Sequence, residues 1–131
     1  MGEWEGHSVT AALARGKEAS TIETGPAFGH RAVSWWKSLL QSLHARSSGD
    51  VYHVLVTSHG GFIGTLVDKL LEGRKIQCAK GVVLHDLLNS SVTVIDIPIN
   101  GKATLVKYGD VEHLAKANMD AVETNVDEIA T

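Results

Sequence analysis

The stretch that decides the fold is VLVTSHGGFIG, residues 54–64. Residues 51–56 are a short apolar run rich in Val and Leu, which is typical of a strand buried on both faces of a parallel sheet. From residue 62 to residue 71 the apolar positions recur at helical intervals, and Glu72-Gly73 marks the stop. The stretch therefore predicts a central strand, a tight turn that contains His59, and a helix over 61–72. Such a turn directs backbone N–H groups and the positive end of a helix dipole at one point, where a phosphate can bind.

The flanking sequence predicts the remaining elements of an α/β domain. Apolar residues at helical spacing predict an amphipathic helix over 30–46, and a shorter helix is predicted over 9–17. Two β-branched runs, 92–99 and 103–108, meet at Asn100-Gly101 and predict a hairpin with a type I′ turn, in which Pro98 marks an edge or a strand end. Asp110 or a neighbour is expected to cap a short last helix through Leu114, and residues 118–131 are expected to form a frayed tail.

Length and composition exclude several classes of protein. The 131 residues favour one domain, on a prior of roughly 100–200 residues each. A net charge of -3 with scattered Lys and Arg residues gives no footprint for nucleic acid. The single cysteine, Cys78, excludes an internal disulfide. Without a signal peptide or a long apolar run, the protein is expected to be soluble and cytoplasmic, with no membrane partner.

A metal site is the obvious alternative for a chain with seven histidines. Their spacing does not support it, because the sequence contains no H-x-x-x-H, no H-E-x-x-H and no pair of cysteines. We therefore expect no metal and no cofactor. Only His59 combines a strand end, a helix start and a following glycine, which is the place where open α/β sheets bind ligands.

Four motifs in the right order resemble one known family. Residues 54–61, VLVTSHGG, resemble the second histidine motif of the histidine phosphatase superfamily, the phosphoglycerate-mutase-like proteins. Residues 2–6, GEWEG, resemble the G-x-W-E-G segment of the family's phosphatases. Glu23-Thr24 followed by Arg31 resembles the family's entry into a long helix. Residues 89–93, NSSVT, and 110–114, DVEHL, resemble its closing strand pair and final H-L.

The resemblance implies a phosphoglycerate-mutase-like three-layer α/β/α sheet that is truncated at its N-terminus, a single incomplete domain over residues 1–131. It implies phosphomonoester hydrolysis or phosphoryl transfer through a phosphohistidine, with a small phosphorylated substrate or inorganic phosphate as the partner. His59 would be the catalytic residue that stabilises charge, and His59 and Gly60 would bind the phosphate. The family's R-H-G segment, which carries the nucleophilic histidine, is absent from this sequence.

Two consequences are expected from that missing segment. The isolated chain should be inactive, because the nucleophile, the two family arginines and the usual acid all belong to the portion that the resemblance would place upstream of Met1. Loss of the neighbouring strand should also leave residues 51–56 with an unpaired edge, through which a homo-oligomer could form. The alternative function is a non-catalytic pseudophosphatase that binds phosphate or a partner.

Overall fold

The computed structural model describes residues 23–46, 49 and 51–116. In this part of the chain two long helices precede three strands and a short helix. The mixture of helices with a small sheet confirms the predicted α/β class. The predictions for residues 2–6, for a helix over 9–17 and for the tail 118–131 lie outside the described residues.

Helix α1, Gly25–Arg46, begins five residues before the predicted start at residue 30. Thr24 explains the earlier start, because its Oγ1 accepts a hydrogen bond from Ala27 N at 3.4 Å and its carbonyl oxygen accepts one from Phe28 N at 2.9 Å. Pro26 is tolerated there because the first turn of a helix needs no N–H donor. At the other end, His44 Nδ1 donates to Leu40 O at 2.7 Å.

Helix α2, Gly60–Glu72, confirms the predicted helix over 61–72 to within one residue. It ends at Gly73, whose N–H donates to Lys69 O at 3.0 Å. Leu66, Val67 and Leu70 form its buried face, as the helical spacing of these residues predicted.

The sheet has three strands in the order β1-β3-β2, which are β1 Ile76–Cys78, β2 Val92–Asp96 and β3 Ala103–Asp110. β1 runs parallel to β3, and β2 runs antiparallel to β3. The predicted hairpin is therefore confirmed, and β2 is an edge strand that ends before Pro98. The predicted two-residue type I′ turn is wrong, because Pro98 ends the pairing early and Asn100 does not have the positive φ which that turn requires.

The predicted central strand over residues 51–56 is also wrong. The structure assigns no strand to these residues, and their side chains are exposed. β3 is the central strand instead. The physical reason is pairing: an apolar run becomes a buried strand only when a neighbouring strand bonds its backbone, and none of the described strands pairs with this one.

One core joins the two long helices to the sheet. It contains two residues of α1, three of α2, one of β1 and one of β3: Ala32, Trp36, Leu66, Val67, Leu70, Ile76 and Leu105. On the sheet face away from this core, Val94 and Val106 are exposed. Among the described residues no helix is both long and apolar enough to cross a bilayer. The last helix, α3 Glu112–Lys116, begins after Asp110, whose Oδ1 accepts a hydrogen bond from Glu112 N at 2.9 Å.

Candidate functional site

His59, the predicted site residue, lies directly before the first turn of α2. It is the N-cap residue with φ -92° and ψ 153°, and its carbonyl oxygen accepts a hydrogen bond from Ile63 N at 3.0 Å. Its side chain is exposed and does not cap the helix. Gly60, the second predicted phosphate ligand, is buried at the first position of the helix. The two predicted residues are therefore adjacent at a helix N-terminus, as the sequence indicated.

The N-terminus of α2 has the electrostatics of an anion site. The first-turn N–H groups of an α-helix have no acceptor within the helix, and the aligned peptide dipoles place a partial positive charge there. The first turn of α2 contains no acidic residue. An anion at this end therefore meets backbone donors and no carboxylate from the first turn itself.

An aromatic cluster holds the first turn of α2 against α1. The Phe62 ring lies edge-on to the Trp35 ring, with centroids 5.5 Å apart, and edge-on to the Phe28 ring at 6.1 Å. Such edge-to-face pairs are favourable because the positive ring edge meets the negative ring face. The cluster therefore fixes the direction in which the N-terminus of α2 points.

Arg31 belongs to this neighbourhood and is held by Glu23. The guanidinium carbon of Arg31 lies 4.9 Å from the centroid of the Phe28 ring. Its Nε donates to Glu23 Oε1 at 3.0 Å, and its Nη2 donates to Glu23 Oε2 at 2.8 Å. These hydrogen bonds lower the pKa of Glu23 and raise the pKa of Arg31. The structure thus brings together Glu23 and Arg31 of the E-[ST]…R motif as an exposed bidentate ion pair.

Tyr108 connects the end of β3 to α2. A Cβ atom built on Gly64 would lie 3.5 Å from the Tyr108 hydroxyl oxygen, so the phenol lies against the second turn of α2. The His85 ring lies edge-on to the Tyr108 ring, with centroids 5.6 Å apart. His85 Nδ1 donates to the carbonyl oxygen of Asp86 at 2.8 Å, so in the neutral ring Nε2 is the acceptor. Sequence reasoning missed this contact, because His85 and Tyr108 lie in segments whose packing no local pattern predicts.

An open cavity of about 400 Å³ lies beside this contact, at the carboxyl end of β3. Residues of three short segments line it: Gly81, Val82, Val83, His85, Lys107, Tyr108, Gly109, Asp110 and Glu112. His59 and Gly60 are not among them. The cavity and the N-terminus of α2 are therefore two separate features on either side of Tyr108.

Lys107 and Asp110 form an ion pair at the rim of this cavity. The ion pair and the hydrogen bond from Glu112 N lower the pKa of Asp110, and Asp110 raises the pKa of Lys107. Because the carboxylate already accepts from both groups, it holds the last strand and α3 together. Among the described residues no group of three or more His, Cys, Asp or Glu side chains could hold a metal ion.

Comparison with known proteins adds no relative to this description. No protein-family model, no curated protein and no solved structure matches the chain. The functional interpretation therefore depends on the geometry of the site and on the motifs of the sequence.

Proposed function

We propose that the chain carries the phosphate-binding half of a histidine-phosphatase-like site, with His59 and the N–H of Gly60 as phosphate ligands. The single observation that carries this proposal is the position of His59 as the N-cap of α2, followed by a buried glycine and by no acidic residue in the first turn. The proposed chemistry is that of the family: phosphomonoester hydrolysis or phosphoryl transfer through a phosphohistidine. The three-layer arrangement of that family belongs to this proposal and not to the observed fold.

The chemistry explains why these two groups suit a phosphate. A transferred phosphoryl group spreads negative charge over three oxygens, so its site needs several donors directed at one point. A protonated His59 supplies a charge-assisted hydrogen bond, and the Gly60 N–H supplies a neutral one. Both groups stabilise charge, and neither acts as the nucleophile.

The same chemistry predicts that this chain alone does not turn over a phosphomonoester. Covalent transfer needs a nucleophile and a proton donor for the leaving alcohol. The sequence has no Arg-His-Gly segment to supply the nucleophile. Arg31, the arginine nearest to the aromatic cluster, is engaged by Glu23. Binding without turnover is therefore the proposed property of the isolated chain.

Phosphate titration followed by amide chemical shifts tests the proposal. Inorganic phosphate or vanadate should shift the amide signals of His59, Gly60 and Gly61, with a dissociation constant of about 1 mM or weaker. His59→Ala should abolish these shifts. His44→Ala is the matched control, because His44 is an exposed histidine at the opposite polarity, the C-terminal end of α1, and it should leave them unchanged. Equal shifts in wild type and His59→Ala would contradict the assignment of His59.

A second candidate is the non-catalytic pseudophosphatase that binds a partner. The observation that favours it is the exposed apolar segment 51–56, which leads directly into the candidate site. Retained partner binding in a chain that shows no phosphate shifts would favour this second function over the first.

A further inference from the structure

Residues 51–56 have the side-chain alternation of an extended strand. Val51 and Leu55 are 86% and 90% exposed, whereas Tyr52, Val54 and Val56 are 44–47% exposed. A period of two is the repeat of an extended chain, whose successive side chains point to opposite sides. The even-numbered side chains therefore face the domain, and Val51 and Leu55 face solvent. Tyr52 fixes this orientation, because its hydroxyl donates to Arg46 O at 3.0 Å.

This extended segment lacks the protection that exposed strand edges usually have. It contains no Pro, no Gly and no charged residue from position 51 to position 58 with His neutral. β2, the edge strand of the sheet, is different: it ends in Asp96, Pro98 follows shortly, and irregular register interrupts its pairing with β3. Charge, proline and bulges are the devices that prevent edges from pairing with other chains. Their absence from residues 51–56 indicates a surface that accepts a strand.

We propose that residues 51–56 pair with the same segment of a second copy of this chain, antiparallel and with Val54 opposite Val54. A two-fold dimer presents the same patch from both subunits, so one residue must face itself across the axis. With Val54 at the axis, Tyr52 lies opposite Val56 of the second copy, an aromatic and β-branched pair of the kind that stabilises sheets. A centre on His53 would instead place two imidazoles opposite each other. This inference uses no part of the proposed phosphate site.

The segment's length limits the strength of the dimer. Six residues in a strand span about 20 Å. A ribbon of that length falls short of the roughly 1,200 Å² of buried surface that stable complexes need. We therefore expect a reversible dimer with a dissociation constant of about 0.1 mM.

Sedimentation velocity with two matched variants tests the surface. Leu55 is 90% exposed and Ile99, in the loop after β2, is 79% exposed, so replacing either by Lys should leave the fold intact. Wild type and Ile99→Lys should shift from monomer to dimer as the protein concentration passes about 0.1 mM. Leu55→Lys should remain a monomer. A wild-type monomer at all concentrations, a dimer that persists in Leu55→Lys, or open-ended polymers would each overturn the proposal.

Disulfide cross-linking tests the register. In a Cys78→Ser background, Val54→Cys places two thiols directly across the axis, with Cβ atoms about 4.5–5.5 Å apart, close to the separation in a disulfide. Leu55→Cys places its thiols diagonally, about 7–8 Å apart, although residue 55 is the more exposed of the two. Mild oxidation should therefore cross-link Val54→Cys faster. Faster cross-linking of Leu55→Cys would follow exposure rather than pairing and would refute the register.

Discussion

Replacing Gly109 by alanine is the change for which the structure gives the most defined cost. Gly109 lies near the end of β3 with φ +62°, in the left-handed region that favours glycine. A Cβ atom there would lie 2.5 Å from His85 Cε1 and 3.0 Å from Leu87 Cδ2. Alanine therefore meets two separate penalties, one from the backbone and one from the His85 ring.

The two penalties have different sizes and different partners. The left-handed conformation costs a non-glycine residue about 1–2 kcal/mol. Extra volume in a packed site typically costs about 1–3 kcal/mol. We therefore expect Gly109→Ala to lower the free energy of unfolding by about 2–5 kcal/mol. Gly81→Ala is the reference for the backbone term, because Gly81 has φ +88° and open space around its Cβ position.

A double-mutant cycle separates the penalties. The free energy of unfolding is measured by urea denaturation for wild type, Gly109→Ala, His85→Ala and the double variant. Without the His85 ring, the cost of Gly109→Ala should fall by about 1 kcal/mol or more, because the backbone term and the Leu87 contact remain. An equal cost in both backgrounds would refute the reasoning that the ring of His85 packs on Gly109.

Three further predictions concern activity, the core and acid stability. The isolated chain should not hydrolyse phosphoglycerates or an aryl phosphate; turnover that disappears in His59→Ala would show that another residue supplies the missing chemistry. Leu105→Ala should lower the free energy of unfolding by about 2–5 kcal/mol in urea, since Leu105 is fully buried, whereas exposed Val106→Ala should change it by about 0.5 kcal/mol. The lowered pKa of Asp110 means that its contribution to stability is present above the ordinary aspartate pKa of about 3.9 and is lost as the pH falls through the lower pKa of the folded state. Urea midpoints between about pH 5 and pH 2 should therefore fall more steeply in wild type than in Asp110→Asn, and parallel curves would contradict this role.

The elements that the sequence predicted well are those whose signals are local. The repeat that ends in Leu66 and Leu70 needs only a helix to explain it, and α2 starts and ends where it indicates. Pro98 likewise marks the end of β2 without reference to any distant residue. His59 was found for the same reason, because a histidine before a glycine-rich helix start is visible in a single stretch.

The elements that the sequence missed depend on distant partners. β1 carries only one buried residue, Ile76, so nothing local marks it as a strand; its pairing with β3 does. Residues 51–56 show the converse, because their composition suits a buried strand but no described strand pairs with them. The contact between His85 and Tyr108 also depends on the fold, since it needs the close approach that Gly109 permits.

Pairing of residues 51–56 and anion binding at His59 should influence each other, because only Thr57 and Ser58 separate the two features. A paired segment constrains the backbone that leads into the N-cap of α2, so part of the ordering needed for binding is already complete in the dimer. By linkage, any gain in phosphate affinity on dimerisation equals the gain in dimer affinity on phosphate binding. We expect a factor of about five, the lower end of typical couplings. Phosphate affinity should be compared at protein concentrations below and above about 0.1 mM rather than with Leu55→Lys, because the added positive charge would itself attract an anion. Equal affinities at both concentrations, in samples shown by sedimentation to differ in dimer content, would show that the two features are independent.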